Sequence, residues 1–257
     1  MTTPTADEPS RAADRAVRAL AGAVDGARER MPGDGDDPDV PVAATALLLR
    51  DGARGPEVLM IERPDRGSFA GAWVFPGGKV EGADAVADDD SEEDVARRAA
   101  VRETEEEVGL AIDPDALRTV SCWDPPPGLA LRIRTWFFAA RADSDDLTLS
   151  ADEAVDAGWV VPHEMLERHA RGELTLYPPT WVTLHTLSGQ RDVESLLGML
   201  RLAGFRRFET VARRGPAGPL LLWQEDAEYA GGAASGPEAA RHRLDIGALP
   251  WIYTRAD

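Results

Sequence analysis

The chain has 257 residues, 28 of them basic and 46 acidic, for a formal net charge of −18. That balance argues against a protein that grips a phosphate backbone through a basic face, so no nucleic-acid partner is expected; no run of 18 or more apolar residues offers a membrane span. With 43% hydrophobic residues, the length suffices for one principal core plus extensions.

The first 38 residues read as an appendage. Residues 10–30 are rich in Ala and Arg, with Val17, Leu20, Ala21 and Val24 at helical spacing, and the Pro32-Gly-Asp-Gly-Asp-Asp-Pro38 segment then breaks the pattern, which predicts a short, partly docked helix. The N-terminus has neither the basic head and apolar run of a secretory signal nor the acid-poor character of a transit peptide, and the C-terminal Arg-Ala-Asp is not a peroxisomal signal, so a cytoplasmic location is expected. A principal domain over 39–190 begins with strands at 42–49 and 57–62, joined by a Gly/Arg/Pro turn at 51–56, and a short strand at 72–75. A helix is predicted from about Asp94 to Val108, then strands at 117–123 and 132–140 around an Asp-Pro-Pro-Pro-Gly turn, a strand at 157–161, and a helix from near Pro162. Tyr177-Pro178-Pro179-Thr180 reads either as a Pro-fixed helix start or as part of a substrate site. An extension over 191–257 should hold a helix at 193–202 and a small hairpin built from the apolar runs at 220–223 and 244–253.

Single residues narrow the chemistry. Cys122, the one cysteine, cannot form an intramolecular disulfide and reads as a packing residue in a reducing compartment. His163, His169, His185 and His242 have no metal-ligand spacing and read as surface or packing residues. Trp123, Trp136 and Trp159 could stack a base, though strand tryptophans more often pack a core. More informative are two segments, Phe75-Pro76-Gly77-Gly78-Lys79-Val80-Glu81 and Arg102-Glu103-Thr104-Glu105-Glu106-Glu107-Val108-Gly109-Leu110. At helical spacing Glu103, Glu106 and Glu107 share one face, Glu105 points away, and Val101, Thr104 and Val108 form another face that can pack inward. Like charges so spaced cost only about 0.2–0.5 kcal/mol per exposed pair, so a solvated acidic face is the alternative reading.

Together these segments resemble the box of the Nudix hydrolase family, Gly-x5-Glu-x7-Arg-Glu-U-x-Glu-Glu-x-Gly-U with U apolar, Thr104 being a weak U. Counted from Gly78 the first Glu of the box falls on Asp84; counted back from Arg102 it falls on Asp94. The acidic stretch between them, 85–93, reads as a dispensable surface insertion. A lengthened loop here is similar to one Nudix branch, the peroxisomal coenzyme A diphosphatases and their bacterial relatives. The resemblance implies an α/β fold, a Nudix-type α/β/α sandwich with a mixed sheet, carrying here an N-terminal helical appendage and a C-terminal extension. It implies Mg²⁺ as cofactor, with Mn²⁺ as a substitute, because hydrolysing a diphosphate needs charge neutralisation on two phosphoryl groups and an activated water. Carried over residue by residue, Glu106 and Glu107 bind metal with the Gly77 carbonyl, Glu103 is a metal ligand or the general base, and Arg102 orients the carboxylates. Glu153, six residues before Trp159, takes the place of a further acidic ligand. Arg63 and Arg66, just before the Phe-Pro-Gly-Gly turn, could meet a phosphate or stay solvated. The implied substrate is a nucleoside diphosphate linked to a second group, coenzyme A or its acyl derivatives first, with ADP-ribose, dinucleotides or oxidised nucleoside triphosphates as alternatives. A non-catalytic nucleotide sensor is the reading from another class, and a monomer or homodimer is expected.

Overall fold

Strands covered on both faces need apolar side chains at every position rather than at alternate ones. β1 (Val42–Gly52) meets that condition, burying seven consecutive residues, and it pairs in parallel with β6 (Arg134–Arg141) from Val42 opposite Arg134 to Leu49 opposite Arg141. The computed structural model describes residues 22, 24–67, 69–129, 132–150, 153–231 and 239–256. β2 (Gly55–Glu62) returns antiparallel to the far end of β1 through a turn shorter than the sequence predicts, so both strands run longer.

The main sheet runs β3 (Trp73–Val74), β2, β1, β6, β5 (Arg118–Asp124), β8 (Arg206–Glu209), with β7 (Asp156–Val160) on β2. β4 (Gly77–Lys79) pairs with Ala43–Thr45, the half of β1 that β2 leaves uncovered. This mixed sheet lies between two helical layers. On one side α1 (Glu92–Val108) sets Ala96, Ala99 and Ala100 against Leu48, Leu59 and Phe138; on the other, α2 (Pro162–Ala170), α3 (Pro178–Leu187) and α4 (Val193–Ala203) cover Leu47, Leu49, Met60 and Phe137. The α/β/α sandwich therefore follows from β1 itself, whose alternate side chains feed two separate cores.

Three expectations are corrected. The stretch 85–93 is not all surface loop: α1 starts at Glu92, capped by Ser91 Oγ, which accepts from the Asp94 N–H at 3.1 Å. Acidic residues in a first turn are favoured by the helix dipole, so a charge run that looks helix-poor is here a helix start. Its remainder is tied down as well, with Asp90 accepting from the Val86 and Ala87 N–H groups and from Arg98. The C-terminal hairpin is instead a four-stranded antiparallel sheet, β9 (Val211–Gly215), β10 (Gly218–Leu222), β11 (Arg241–Asp245) and β12 (Ile252–Ala256), in the order β12-β11-β10-β9. In β11 the buried His242 and Leu244 alternate with the half-buried Arg241, Arg243 and Asp245, so no apolar run marks the strand. Most of the predicted N-terminal helix lies outside the described residues; its described end stops being helical after Gly26, not at Pro32, where the Arg28 N–H turns to Pro127 O at 2.9 Å. The segment that follows is tied down, since Arg30 donates to the carbonyls of Asp124, Pro125 and Thr210, and Arg134 and Arg207 both donate to Gly35 O.

Candidate metal and diphosphate site

α1 and the β3–β4 turn meet where β1 changes partner. Gly77 adopts φ 153°, and a Cβ there would run into Ala44 O and lie 2.6 Å from Thr45 Cα, so only glycine fits between turn and strand. A Cβ on Gly78 would overlap the Glu103 carboxylate. The two glycines therefore bring backbone against the glutamate face of α1, and the Gly77 N–H donates to Glu107 Oε2 at 2.8 Å.

Burial separates the three glutamates. Glu107 exposes none of its side chain, Glu103 13% and Glu106 51%, so the trio is not a solvated acidic face. Glu103 and Glu107 converge with Glu153, each offering an oxygen within 4.8 Å of the others. Glu153 arrives because its loop is laced to the end of α1: Thr148 N–H donates to Val108 O and Ser150 N–H to Glu107 O, at 2.9 and 3.0 Å. Glu106 does not join that convergence; it lies on the rim, paired with Arg102 at 3.0 Å. Burial pushes the Glu107 carboxyl up to about 7, helped by the Glu103 and Glu153 charges and opposed by Arg63 and the Gly77 N–H. Burial also raises Glu103, against the pull of Arg102.

The arginines have distinct tasks. Arg102 reaches Glu103 at 2.9 Å and Glu106 at 3.0 Å, donates to Lys79 O, and forms a two-pronged pair with Asp84 at 3.0 Å on each prong. Burial works to raise the Asp84 carboxyl, but the hydrogen bonds from Arg102 and the Glu81 N–H outweigh it and hold it below the usual range. Of the two acids at the first-Glu position, then, Asp84 anchors the arginine, whereas Asp94 turns to the Ser91 cap. Arg63 does not stand clear to meet a phosphate: its Nη2 lies 2.8 Å from Glu107 Oε1 and donates to Gly77 O at 2.5 Å. Its N–H groups are misaligned with Oε1, which is left buried without a hydrogen bond. A buried carboxylate oxygen lacking a donor, a carbonyl beside it, and two more acids within reach make an oxygen-only set suited to a hard divalent cation. The residues present fit Mg²⁺, with Arg63 as the positive charge that faces them.

A cavity of about 1180 Å³ opens from this cluster, bordered by Arg63, Arg66, Lys79, Glu103 and Glu153. Tyr177, Pro178, Pro179 and Thr180 line it too, while Pro178 starts α3, so the segment is at once a helix start and a cavity wall. Phe69 lines it at φ 62°, unusual for a bulky residue, edge-on to Tyr177 with centroids 4.8 Å apart. Sequence reading missed Phe69, which carries no motif, and the contribution of the C-terminal sheet, whose Ala212 and Leu221 face the same space. The three strand tryptophans are engaged by protein: Trp123 stacks on Phe208 at 3.8 Å, Trp136 donates to Glu92, and Arg50 lies over Trp159. Cys122 is buried, its thiol pushed up by desolvation, and His169 and His242 are buried as well.

Comparison with known proteins agrees with this geometry. A NUDIX domain family model matches residues 39–178, more than half of the chain. Among solved structures, a NUDIX hydrolase from Alicyclobacillus acidocaldarius is 26% identical, with a TM-score of 0.54, over 61% of this chain and 94% of its own. A MutT NUDIX hydrolase from Burkholderia pseudomallei is 24% identical over 57% of this chain and 97% of its own, with a TM-score of 0.42. The NUDIX domain of Shewanella oneidensis NrtR, solved with ADP ribose, is 14% identical over 61% of this chain and 90% of its own, with a TM-score of 0.43. Among curated proteins none matches significantly. With the family's box on a glycine turn and an acidic helix, and its domain spanning most of the main sheet, the chain belongs to the Nudix family.

Proposed function

We propose that the protein is a Mg²⁺-dependent diphosphatase acting on a nucleoside diphosphate linked to a second group. The observation that carries this reading is the convergence of Glu103, Glu107 and Glu153 within 4.8 Å at the charged end of a cavity large enough for such a substrate. Glu103, Glu107, Glu153 and the Gly77 carbonyl would hold the cation, with Mn²⁺ as a substitute and Glu106 at the rim. When bound, the cation neutralises charge on the phosphoryl oxygens and makes a water more acidic. Water adds to one phosphorus, the bridging P–O bond breaks, and a nucleoside monophosphate and a second phosphate ester leave. Arg102, itself fixed by Asp84, holds Glu103 and Glu106 in position; Glu103, raised by burial, is suited to take a proton from water. Arg66 and Lys79 border the cavity and would meet the diphosphate, and Arg63, once its carboxylate partner is otherwise neutralised, would join them.

Coenzyme A or its acyl derivatives are the substrates we put first, on the lengthened loop before α1; ADP-ribose and dinucleotides share the chemistry. A lone buried thiol suits a reducing cytoplasm, and among the described residues no helix is long and apolar enough to cross a membrane. The test is a panel of diphosphate compounds assayed with Mg²⁺ and with Mn²⁺, run beside Glu107→Gln. The amide keeps an acceptor for the Gly77 N–H but is a far weaker ligand for a hard cation, so turnover should fall roughly 10²-fold or more with the melting temperature nearly unchanged. Wild-type turnover in Glu107→Gln would remove the metal assignment, and no hydrolysis across the panel would favour a nucleotide sensor.

A further inference from the structure

A second hollow, of about 340 Å³, lies at the edge of the main sheet and shares no lining residue with the first. β8 joins β5 only from Ser121 onward, and β5 is bulged just before that point: Thr119 faces Phe138 and Ser121 faces Phe137, which leaves Val120 out of the ladder. A bulge ends pairing and re-aims side chains, and such irregularities recur next to active sites. Part of the lining is apolar, with Leu117 from one hydrophobic cluster, Leu200 from the other, and half-buried Val120 and Leu197 beside them.

The charged part of the lining is three arginines and one acid, Asp115, in a chain whose acids outnumber its bases 46 to 28. Arg97, on α1, is already matched: it donates to Leu117 O and to Thr119 Oγ1 at 3.0 Å, and pairs with Glu93 at 2.6 Å. Arg118, at the start of β5, and Arg201, in the last turn of α4, are exposed, and among the described residues neither side chain makes a hydrogen bond or ion pair. Two unmatched cations therefore stand against one carboxylate. The helix dipole favours an arginine near a helix C-terminus without any ligand, which accounts for Arg201 but not for Arg118, brought to the same hollow by another element. We propose that this hollow is a second binding site, for a small phosphate monoester with an apolar body. Guanidinium groups match phosphate oxygens in pairs, and the leucines and Val120 take the body. The volume falls at the lower end of the roughly 300–1,000 Å³ of small-ligand sites, which suits a small compound. None of the metal-site residues borders the hollow, so the site stands apart from the diphosphatase reading.

The test titrates the full-length protein, without Mg²⁺, with phenyl phosphate, inorganic phosphate and phenol by calorimetry, and follows the backbone amide NMR signals of residues 117–120 and 197–204. Phenyl phosphate should shift those signals and bind at least about tenfold more tightly than either of the smaller probes. Arg118→Gln and Arg201→Gln should each weaken it roughly tenfold, and the lysine variants should recover only part of the loss, because an ammonium cannot reproduce the paired contact. Both side chains are exposed and unpaired, so these variants should melt as the parent does. Lys79→Gln, in the main cavity, should leave this binding unchanged. Signals that shift only around Gly77 and Lys79, or a double glutamine variant that binds phenyl phosphate as the parent does, would overturn the site. Full recovery by lysine would overturn it too, since a diffuse attraction would then suffice. Inorganic phosphate or phenol binding as tightly as phenyl phosphate would overturn the ligand class.

Discussion

Glu107 is held with no exposed side chain between a backbone N–H and a guanidinium, a position in which its charge persists only in the company of positive charge. That makes the acids around it unequal. Glu153→Ala is expected to raise the Mg²⁺ concentration for half-maximal activity roughly tenfold, with part of the loss recovered at high metal. Asp156→Ala should leave metal dependence unchanged, because Asp156 lies on β7 with its carboxylate on the Ala157 N–H at 2.8 Å; Asp152 lies outside the described residues. A metal titration in which Asp156→Ala, and not Glu153→Ala, shows the defect would mean that the wrong acid on this loop has been chosen. Asp84 acts through Arg102, so Asp84→Ala should lower kcat roughly tenfold with little change in KM, while Asp84→Glu should keep activity within about threefold. If the glutamate variant fails as badly as the alanine one, the pairing with Arg102 is not what the residue supplies.

α1 is a helix of low amphipathic contrast, and most of its buried contact comes from alanines that let it lie close to β1. Its start depends on Ser91 and the acidic first turn, with Glu92 also bonded to Arg134 and Trp136 and Glu93 paired with Arg97 at 2.6 Å. Ser91→Ala should therefore cost about 1 kcal/mol of stability in urea unfolding, and a value near zero would show that the tertiary ties alone define the helix start. Shortening across 85–93 is no longer expected to be harmless, since it would remove Asp90 from Arg98 and the cap from α1. Much of this element was legible in advance: the glutamate face came from spacing of three and four residues, and Gly77-Gly78 from the turn. What spacing could not show is that Glu107 is buried while Glu106 is on the rim, because burial depends on the turn that packs over the helix and not on the helix.

Across the whole molecule, the main sheet and the C-terminal one share a single hydrophobic cluster, so stability is shared between them. His169, on α2, packs edge-on to Trp251 at 4.5 Å, with Nδ1 buried and lacking a hydrogen bond, and burial lowers its imidazole to about 4. A histidine lowered in the folded state favours folding above its unfolded value of roughly 6.5, and that contribution is lost as pH falls towards the folded value. His169→Phe should accordingly gain on the parent by on the order of 3 kcal/mol between roughly pH 7 and pH 4, read from urea midpoints at each pH. A difference that stays flat with pH would show that His169 is not buried in its neutral form. The sequence by itself determined the family's box, the glutamate helix and the main strands, because each rests on short-range periodicity or on a motif of fixed spacing; Glu153 rests on the family resemblance, and the fold brings it within 4.8 Å of Glu103 and Glu107. Only the tertiary structure decided which acid anchors Arg102, that Arg63 faces Glu107 and Gly77 and does not stand free, and that Ala212 and Leu221 border the cavity. Those facts depend on residues 14 to well over 100 positions apart being brought together, and no local pattern records which distant surfaces will share one space.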